Sequence, residues 1–259
     1  LVTDERISLL SFTGSPEVGW KMKRDAGKKK VVLELGGNAG VIISHGADLD
    51  AAVAKCVVGG FSYSGQVCIH TQRIFVLHEL FEEFAGRFVE KVQQLKPGNP
   101  LDPQTDMAVM IDLENAERVE NWVKDAVAAG AKILAGGQKD GSFMQPTVLT
   151  GTREEMRVCS DEVFGPVVVI EPVATFAEAI KQINSGRFGL QAGVFTNSID
   201  EMNQAFDQLH VGGVIINDVP TFRVDHMPYG GIKDSGLGRE GVKYAIMEMM
   251  EPRLLVKNC

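Results

Sequence analysis

No stretch of this sequence approaches the roughly 20 consecutive apolar residues that a membrane-spanning helix needs, so no membrane partner is expected. Cysteine is sparse: four residues, at 56, 68, 159 and 259, with no CxxC or metal-like spacing. That argues against a disulfide scaffold, gives no metal site, and suits a reducing cytosol, so the expected location is cytoplasmic. Basic charge is also short, with 26 Lys and Arg against 34 Asp and Glu, a net charge of −8, and one dense basic run at Lys28-Lys29-Lys30. Nucleic acid is therefore not an expected partner. No basic-then-apolar leader opens the chain. An initiator Met is absent too, and the abrupt start at Leu1 reads as a truncation of a larger protein. There is no internal repeat, no low-complexity tract and no GxGxxG dinucleotide fingerprint.

What is present is an ordinary globular composition, 44% hydrophobic and 23% charged over 259 residues, enough for one large domain or two smaller ones. Val- and Ile-rich runs alternate with helical periodicity, which predicts an α/β fold with a largely parallel sheet. Strands are expected at 7–12, 31–35, 40–44, 74–77, 132–135, 145–149, 167–172, 192–196, 213–217 and 253–257. Helices are expected from Pro16 to about Ala26, from Asp48 to about Phe61, and over 79–95, 112–129, 176–185 and 200–209, with a last one ending near Met250. Lys96-Pro97-Gly98-Asn99-Pro100 breaks the chain, and a glycine-dense loop runs over 229–241.

Five places could carry chemistry. Cys68 follows an apolar helix in the small-residue loop Ser62-Tyr63-Ser64-Gly65-Gln66-Val67. A partly exposed thiolate in a favourable field is a nucleophile, and Gly65 would let a substrate come close; the other reading is a packed small hydrophobe. Cys56, in Ala-Val-Ala-Lys-Cys-Val-Val, reads as a packed helix face. Glu34 interrupts a buried-looking strand just before two glycines, where desolvation raises a carboxylate toward the range of a general base; an exposed edge-strand Glu is its alternative. Phe12-Thr13-Gly14-Ser15 is a strand-to-helix turn whose free N–H groups could meet a phosphate. Glu162-Val163-Phe164-Gly165-Pro166 could hold a ribose through its carboxylate and lean a ring on a heterocycle, or be a loop with a core Phe. The glycine-rich stretch 230–241 lacks a Gly-Lys-Ser/Thr ending and reads as a mobile or tightly folded loop.

In order along the chain, Phe-Thr-Gly-Ser at 12–15, Leu-Glu-Leu-Gly-Gly-Asn at 33–38, Gly-Gln-Val-Cys at 65–68, Glu-Val-Phe-Gly-Pro at 162–166 and Gly-Gly-Ile-Lys-Asp-Ser-Gly at 230–236 resemble the aldehyde dehydrogenase superfamily. The match covers essentially the whole chain, as the C-terminal half of a typical member. The resemblance implies a three-layer, open, parallel-rich catalytic domain over 38–240. It also implies the last part of a Rossmann-like cofactor domain over 1–37, and a helix with an oligomerisation strand over 241–259. It implies NAD or NADP as cofactor and a small-molecule aldehyde as substrate. Cys68 would attack the aldehyde to give a thiohemiacetal and then a thioester, and its backbone N–H would share in the oxyanion hole. Glu34 would activate the hydrolytic water. Ser15 would face the pyrophosphate, Glu162 the nicotinamide ribose and Phe164 the nicotinamide side, with Phe12, Gly14, Leu35 and Gly36 also cofactor-binding.

The full-length protein would be a homodimer or homotetramer. The family's upstream Asn, a second oxyanion donor, and its early dinucleotide-domain strands have no counterpart in this sequence, so this chain alone is expected to bind dinucleotide weakly and turn over poorly. Glu34 favours water over coenzyme A as acyl acceptor; a coenzyme-A-acylating enzyme and a non-catalytic assembly fragment are the competing readings. A cysteine hydrolase ranks below both, since His70 beside Cys68 has no evident orienting acid. Tyr63, Val67, Ile69 and Phe222 are candidate tunnel residues by proximity to the motifs.

Overall fold

The computed structural model describes residues 1–258. The chain opens with β1 (Leu9–Thr13), α1 (Pro16–Asp25) and β2 (Lys30–Glu34). Local chemistry starts α1: the Ser15 hydroxyl accepts from the Val18 N–H, and Pro16 occupies the first turn, where a missing N–H costs nothing. Then come β3 (Ala39–Ile43), α2 (Leu49–Phe61), β4 (Thr71–Leu77), α3 (His78–Gln93) and α4 (Leu113–Ala128). Asp48 and Asp112 cap α2 and α4 through side-chain bonds to the Ala51 and Asn115 N–H groups. Next are β5 (Lys132–Ala135), the small hairpin β6 (Lys139–Asp140) and β7 (Phe143–Met144), β8 (Thr147–Thr150), α5 (Arg157–Ser160) and β9 (Val167–Val173). The chain ends with α6 (Phe176–Ser185), β10 (Phe188–Gly189), β11 (Gln191–Phe195), α7 (Ile199–Gln208), β12 (Gly213–Ile216), β13 (Ile232–Lys233), β14 (Gly236–Leu237) and α8 (Val242–Glu248).

A seven-stranded sheet in the order β12-β11-β3-β4-β9-β8-β5 organises the molecule, parallel throughout except for the edge pair β5–β8. Its central strands β3, β4 and β11 are buried on both faces because helices cover both. Val41 and Ile43 of β3 face the core built on Phe61, Phe84 and Phe88 of α2 and α3. Ile42, between them, faces Phe176, Ile180 and Ile183 of α6. At the β8–β9 side, Leu149, Val167 and Val169 pack on Val119 and Val123 of α4. These are the three layers of the expected parallel-rich α/β fold.

A second, three-stranded sheet has the order β1-β2-β14, with β1 and β2 parallel and β14 antiparallel to β2. It joins the start of the chain to the glycine-rich segment near its end. That segment, read as a loop, contains β13 and β14, and β13 pairs with β10. The strand expected at 253–257 does not form: the segment is exposed and without regular structure. A strand needs a neighbouring backbone for its N–H and C=O groups, and the described residues bring none to it. Cys259 lies outside the described residues.

Candidate active site

The site residues gather where the two sheets meet. β2 ends in Glu34, and the chain passes through Leu35, Gly36, Gly37 and Asn38 into β3. β3, β4 and β9 are adjacent and parallel, so the segments before them (36–38, 67–70 and 162–166) lie side by side at the amino ends of the large sheet. The packing there is close. A Cβ on Gly37 would collide with the Cys68 carbonyl oxygen. The Gly37 N–H donates to Glu162 Oε1 at 2.8 Å.

Backbone strain is concentrated in the same place. Tyr63, Ser64 and Gly65 have φ of +53°, +56° and +69°, and Phe164 has φ of +45°. Gly65 is obligatory twice over: its φ is left-handed, and a Cβ would collide with the Gly165 carbonyl oxygen. Ser64 is held in its unusual conformation by an Oγ bond to the Ala108 carbonyl at 2.7 Å. Left-handed non-glycine residues of this kind cluster at functional sites.

The electrostatics follow from burial. Cys68 is half-buried, with its Sγ 3.2 Å from the Tyr229 hydroxyl. Burial pushes its thiol up from the ordinary range, the Tyr229 hydrogen bond pulls it down, and the Glu162 and Glu34 carboxylates push it up again. Glu34 is 5% exposed, and neither carboxylate oxygen has a hydrogen-bond partner among the described residues. Burial raises it to about 8, Glu240 adds to the rise, and Arg239 and Arg223 oppose it. Glu162 rises to about 7 through burial, against the Gly37 N–H and Arg118. Burial also raises Tyr229, and the neighbouring Cys68 and Glu34 raise it further.

The turn at 12–15 joins this group through the Gly14 N–H, which donates to the Glu34 carbonyl at 3.0 Å. Gly14 and Ser15 are exposed, Phe12 is partly buried beneath Gly14, and Leu35 and Gly36 are buried. Phe164 presents its ring at the surface. Cys68, Glu34, Glu162, Gly36 and the 12–15 turn are thus brought together.

His70 stands apart from them. It is buried, its Nε2 bonds the Gly60 carbonyl at 2.8 Å, and desolvation lowers it to about 4. It packs as a neutral ring and forms no dyad with Cys68. Of the tunnel candidates, Tyr63 is 80% exposed, Phe222 is exposed, and Val67 and Ile69 are half-buried. Cys56 is fully buried, and Cys159 is buried with its thiol on the Thr152 hydroxyl.

Sequence reasoning missed Tyr229, Arg223 and Glu240. Tyr229 and Glu240 form an isolated antiparallel bridge, Arg223 pairs with the Glu240 carboxylate at 2.8 Å, and the Arg223 guanidinium lies 4.3 Å over the Tyr229 ring. Tyr229 was visible only as the edge of a glycine loop, 161 positions from Cys68, and no local pattern joins residues that far apart.

Similarity to known proteins shows the family and the fold. The chain is 47% identical over 258 residues to a 3-sulfolactaldehyde dehydrogenase of Priestia aryabhattai, covering 100% of this chain and 54% of that protein. Aldehyde dehydrogenase 21 of Physcomitrella patens, solved with the reaction product succinate, superposes with a TM-score of 0.94 at 48% identity, over 96% of this chain and 52% of that one. A glyceraldehyde-3-phosphate dehydrogenase of Methanocaldococcus jannaschii, solved with NADP, gives 0.93 at 43% identity, over 96% and 54%. The chain spans about half the length of the curated relatives it matches. The family model for the aldehyde dehydrogenase family matches residues 1–255, and the chain belongs to that family.

Proposed function

We propose that the protein containing this chain oxidises an aldehyde to a carboxylic acid with NAD+ or NADP+, by covalent catalysis at Cys68 and activation of water by Glu34. One observation carries the reading: a half-buried cysteine shares its surroundings with a buried carboxylate whose two oxygens have no partner among the described residues. An orphaned carboxylate held near neutrality is suited to take a proton from water.

Cys68 Sγ gives its proton up to solvent and attacks the carbonyl carbon, forming the thiohemiacetal as its oxyanion, which the Cys68 backbone N–H faces. A nicotinamide dinucleotide held by Ser15, Glu162 and Phe164 would supply the hydride acceptor, leaving the acyl group on Cys68 as a thioester. Glu34 takes a proton from water as the water oxygen attacks the thioester carbon. The carbon–sulfur bond breaks, the acid leaves, and Glu34 returns the proton to the sulfur.

The residues present fit part of a dinucleotide site. Ser15 is exposed at the start of α1 and would face the pyrophosphate. Glu162 is anchored to Gly37 and would hold the ribose, and the exposed Phe164 ring would lie against the nicotinamide. Phe12, Gly14, Leu35 and Gly36 complete that wall. Within the same reading, residues 1–37 close a cofactor domain, 38–240 form the catalytic domain and 241–259 serve assembly into a cytoplasmic homodimer or homotetramer.

The substrate class proposed is a small aldehyde bearing an acid group. Sulfolactaldehyde, succinate and glyceraldehyde 3-phosphate, named with the three relatives above, all carry one. Here Arg223, stacked on the Tyr229 ring, stands one ring away from the Cys68 sulfur, and an acid-bearing substrate would compete for it with the Glu240 carboxylate that holds it at 2.8 Å.

The test is turnover by the intact protein with NAD+ and with NADP+, on neutral and acid-bearing aldehydes. The expected result is dinucleotide reduction with a free acid as product, faster for the acid-bearing set and lost in Cys68→Ser. Acyl-coenzyme A formed in place of the acid would make it an acylating member. No reduction with any aldehyde would leave the non-catalytic assembly reading.

A further inference from the structure

Cys68 lies among groups that oppose a thiolate. Glu34 reaches it from the end of β2 and Glu162 from the turn before β9, and both raise it on top of burial. Arg223, Arg239 and Glu240 approach the same neighbourhood from the chain's far end, where both guanidiniums act on Glu34. The side chain that touches the sulfur in the opposite sense is Tyr229, 3.2 Å away.

That contact is held firmly. Tyr229 is 4% exposed. Its backbone exchanges two hydrogen bonds with Glu240, from the Tyr229 N–H at 3.2 Å and from the Glu240 N–H at 2.6 Å. Arg223 covers the ring at 4.3 Å and is fixed in turn by the Glu240 carboxylate at 2.8 Å. The hydroxyl is therefore presented to the sulfur by Glu240 and Arg223, residues outside the Cys68 loop. Burial, the adjacent sulfur and Glu34 keep the phenol protonated, so it stays a donor across the neutral range.

We propose that Tyr229 is a positioning residue for the nucleophile: its hydroxyl donates a hydrogen bond to the Cys68 sulfur, fixes the direction of that sulfur and stabilises it as the thiolate. The inference rests on the reading of Cys68 as the nucleophile. A hydrogen bond to an ionised acceptor is stronger than one to a neutral acceptor, so the contact favours the reactive form. It also sets one orientation on a side chain that would otherwise choose among three rotamers.

The test uses limiting iodoacetamide across pH 5 to 9 on the full chain, with the modified cysteines mapped by mass spectrometry, for wild type and Tyr229→Phe. Phe keeps the ring under Arg223 and removes only the donor. The expected result is a Cys68 midpoint about one pH unit higher in the variant, and alkylation about tenfold slower below that midpoint. Cys56, fully buried, reports on folding and stays unlabelled in both proteins. If Tyr229→Phe exposes Cys56, the pair Tyr229→Gln and Tyr229→Leu, donor and non-donor of similar size, replaces it, with the lower midpoint expected for Gln. Superimposable Cys68 profiles in either comparison overturn the role of Tyr229 while leaving Cys68 as nucleophile. A wild-type Cys68 that is inert throughout while Cys159 reacts overturns the nucleophile reading, and this inference with it.

Discussion

Gly37 is the surface on which the Cys68 backbone rests, with the Cys68 carbonyl oxygen filling the place where a Cβ would stand. The obstacle is main chain, which cannot turn aside as a flexible side chain can. Gly37→Ala is therefore expected to displace the Cys68 loop and the Glu162 carboxylate, which accepts from the Gly37 N–H. Misplacement of reacting groups by about 1 Å costs on the order of 100-fold in rate, and a loss of that size is expected in turnover. Gly86→Ala in α3, where an added Cβ meets nothing within 4 Å, is the control and should be neutral or slightly stabilising. Wild-type turnover in Gly37→Ala would mean that this packing does not matter to the chemistry.

With Glu34 as the base, activity and stability are expected to respond to pH in opposite directions. Its carboxyl goes from an ordinary 4.5 to about 8, so the folded chain holds that proton more tightly than the unfolded chain does. The stabilisation is complete below about 4.5 and drains away as pH rises through about 8. Glu34→Gln, an uncharged near-isostere, should match wild type near pH 4. At pH 9 it should exceed wild type by about 5 kcal/mol. Its acid-forming turnover should vanish, while wild-type turnover climbs between pH 7 and 9 as Glu34 gives up its proton. Thermal unfolding of both proteins at the two pH values decides the point, and equal stability at pH 9 would contradict it.

The sequence made the α/β alternation readable because each element carries its own local signal. Asp48 and Asp112 cap where their side chains reach the first turn, and the runs around Val41 and Ile170 are apolar on both faces. It also drew attention to Glu34, through its odd place in an apolar strand, and to Cys68, through the small-residue loop before it. What it could not convey were contacts made only by folding. Tyr229 meets Cys68 across 161 positions, and β14 returns to pair with β2 from the far end of the chain. The expected strand at 253–257 failed for a related reason, since β propensity does not supply a neighbouring strand.

Asn38, the last residue of the Leu-Glu-Leu-Gly-Gly-Asn motif, is a joint between three parts of the site. Its side-chain amide donates to the Cys159 carbonyl at 2.6 Å and the Asp161 carbonyl at 3.0 Å, and its Oδ1 accepts from Arg73 Nε at 2.7 Å. Arg73 is 5% exposed, and its other bonds run to the Asn38 and Gln182 carbonyls. Asn38→Ala strands part of a buried guanidinium together with two carbonyls, and should cost about 3 kcal/mol. Asn38→Asp is the sharper variant. It offers Arg73 a carboxylate, yet it turns an acceptor toward two carbonyl oxygens that need a donor. It should therefore fail to restore wild-type stability at pH 7, and recover in part only at low pH, where the protonated carboxyl of the variant can donate again. Because the same amide holds the start of the turn carrying Glu162, both variants should also weaken dinucleotide binding in the intact protein. Urea midpoints at pH 7 and pH 4 test the argument, and an Asn38→Asp protein as stable as wild type at pH 7 would refute it.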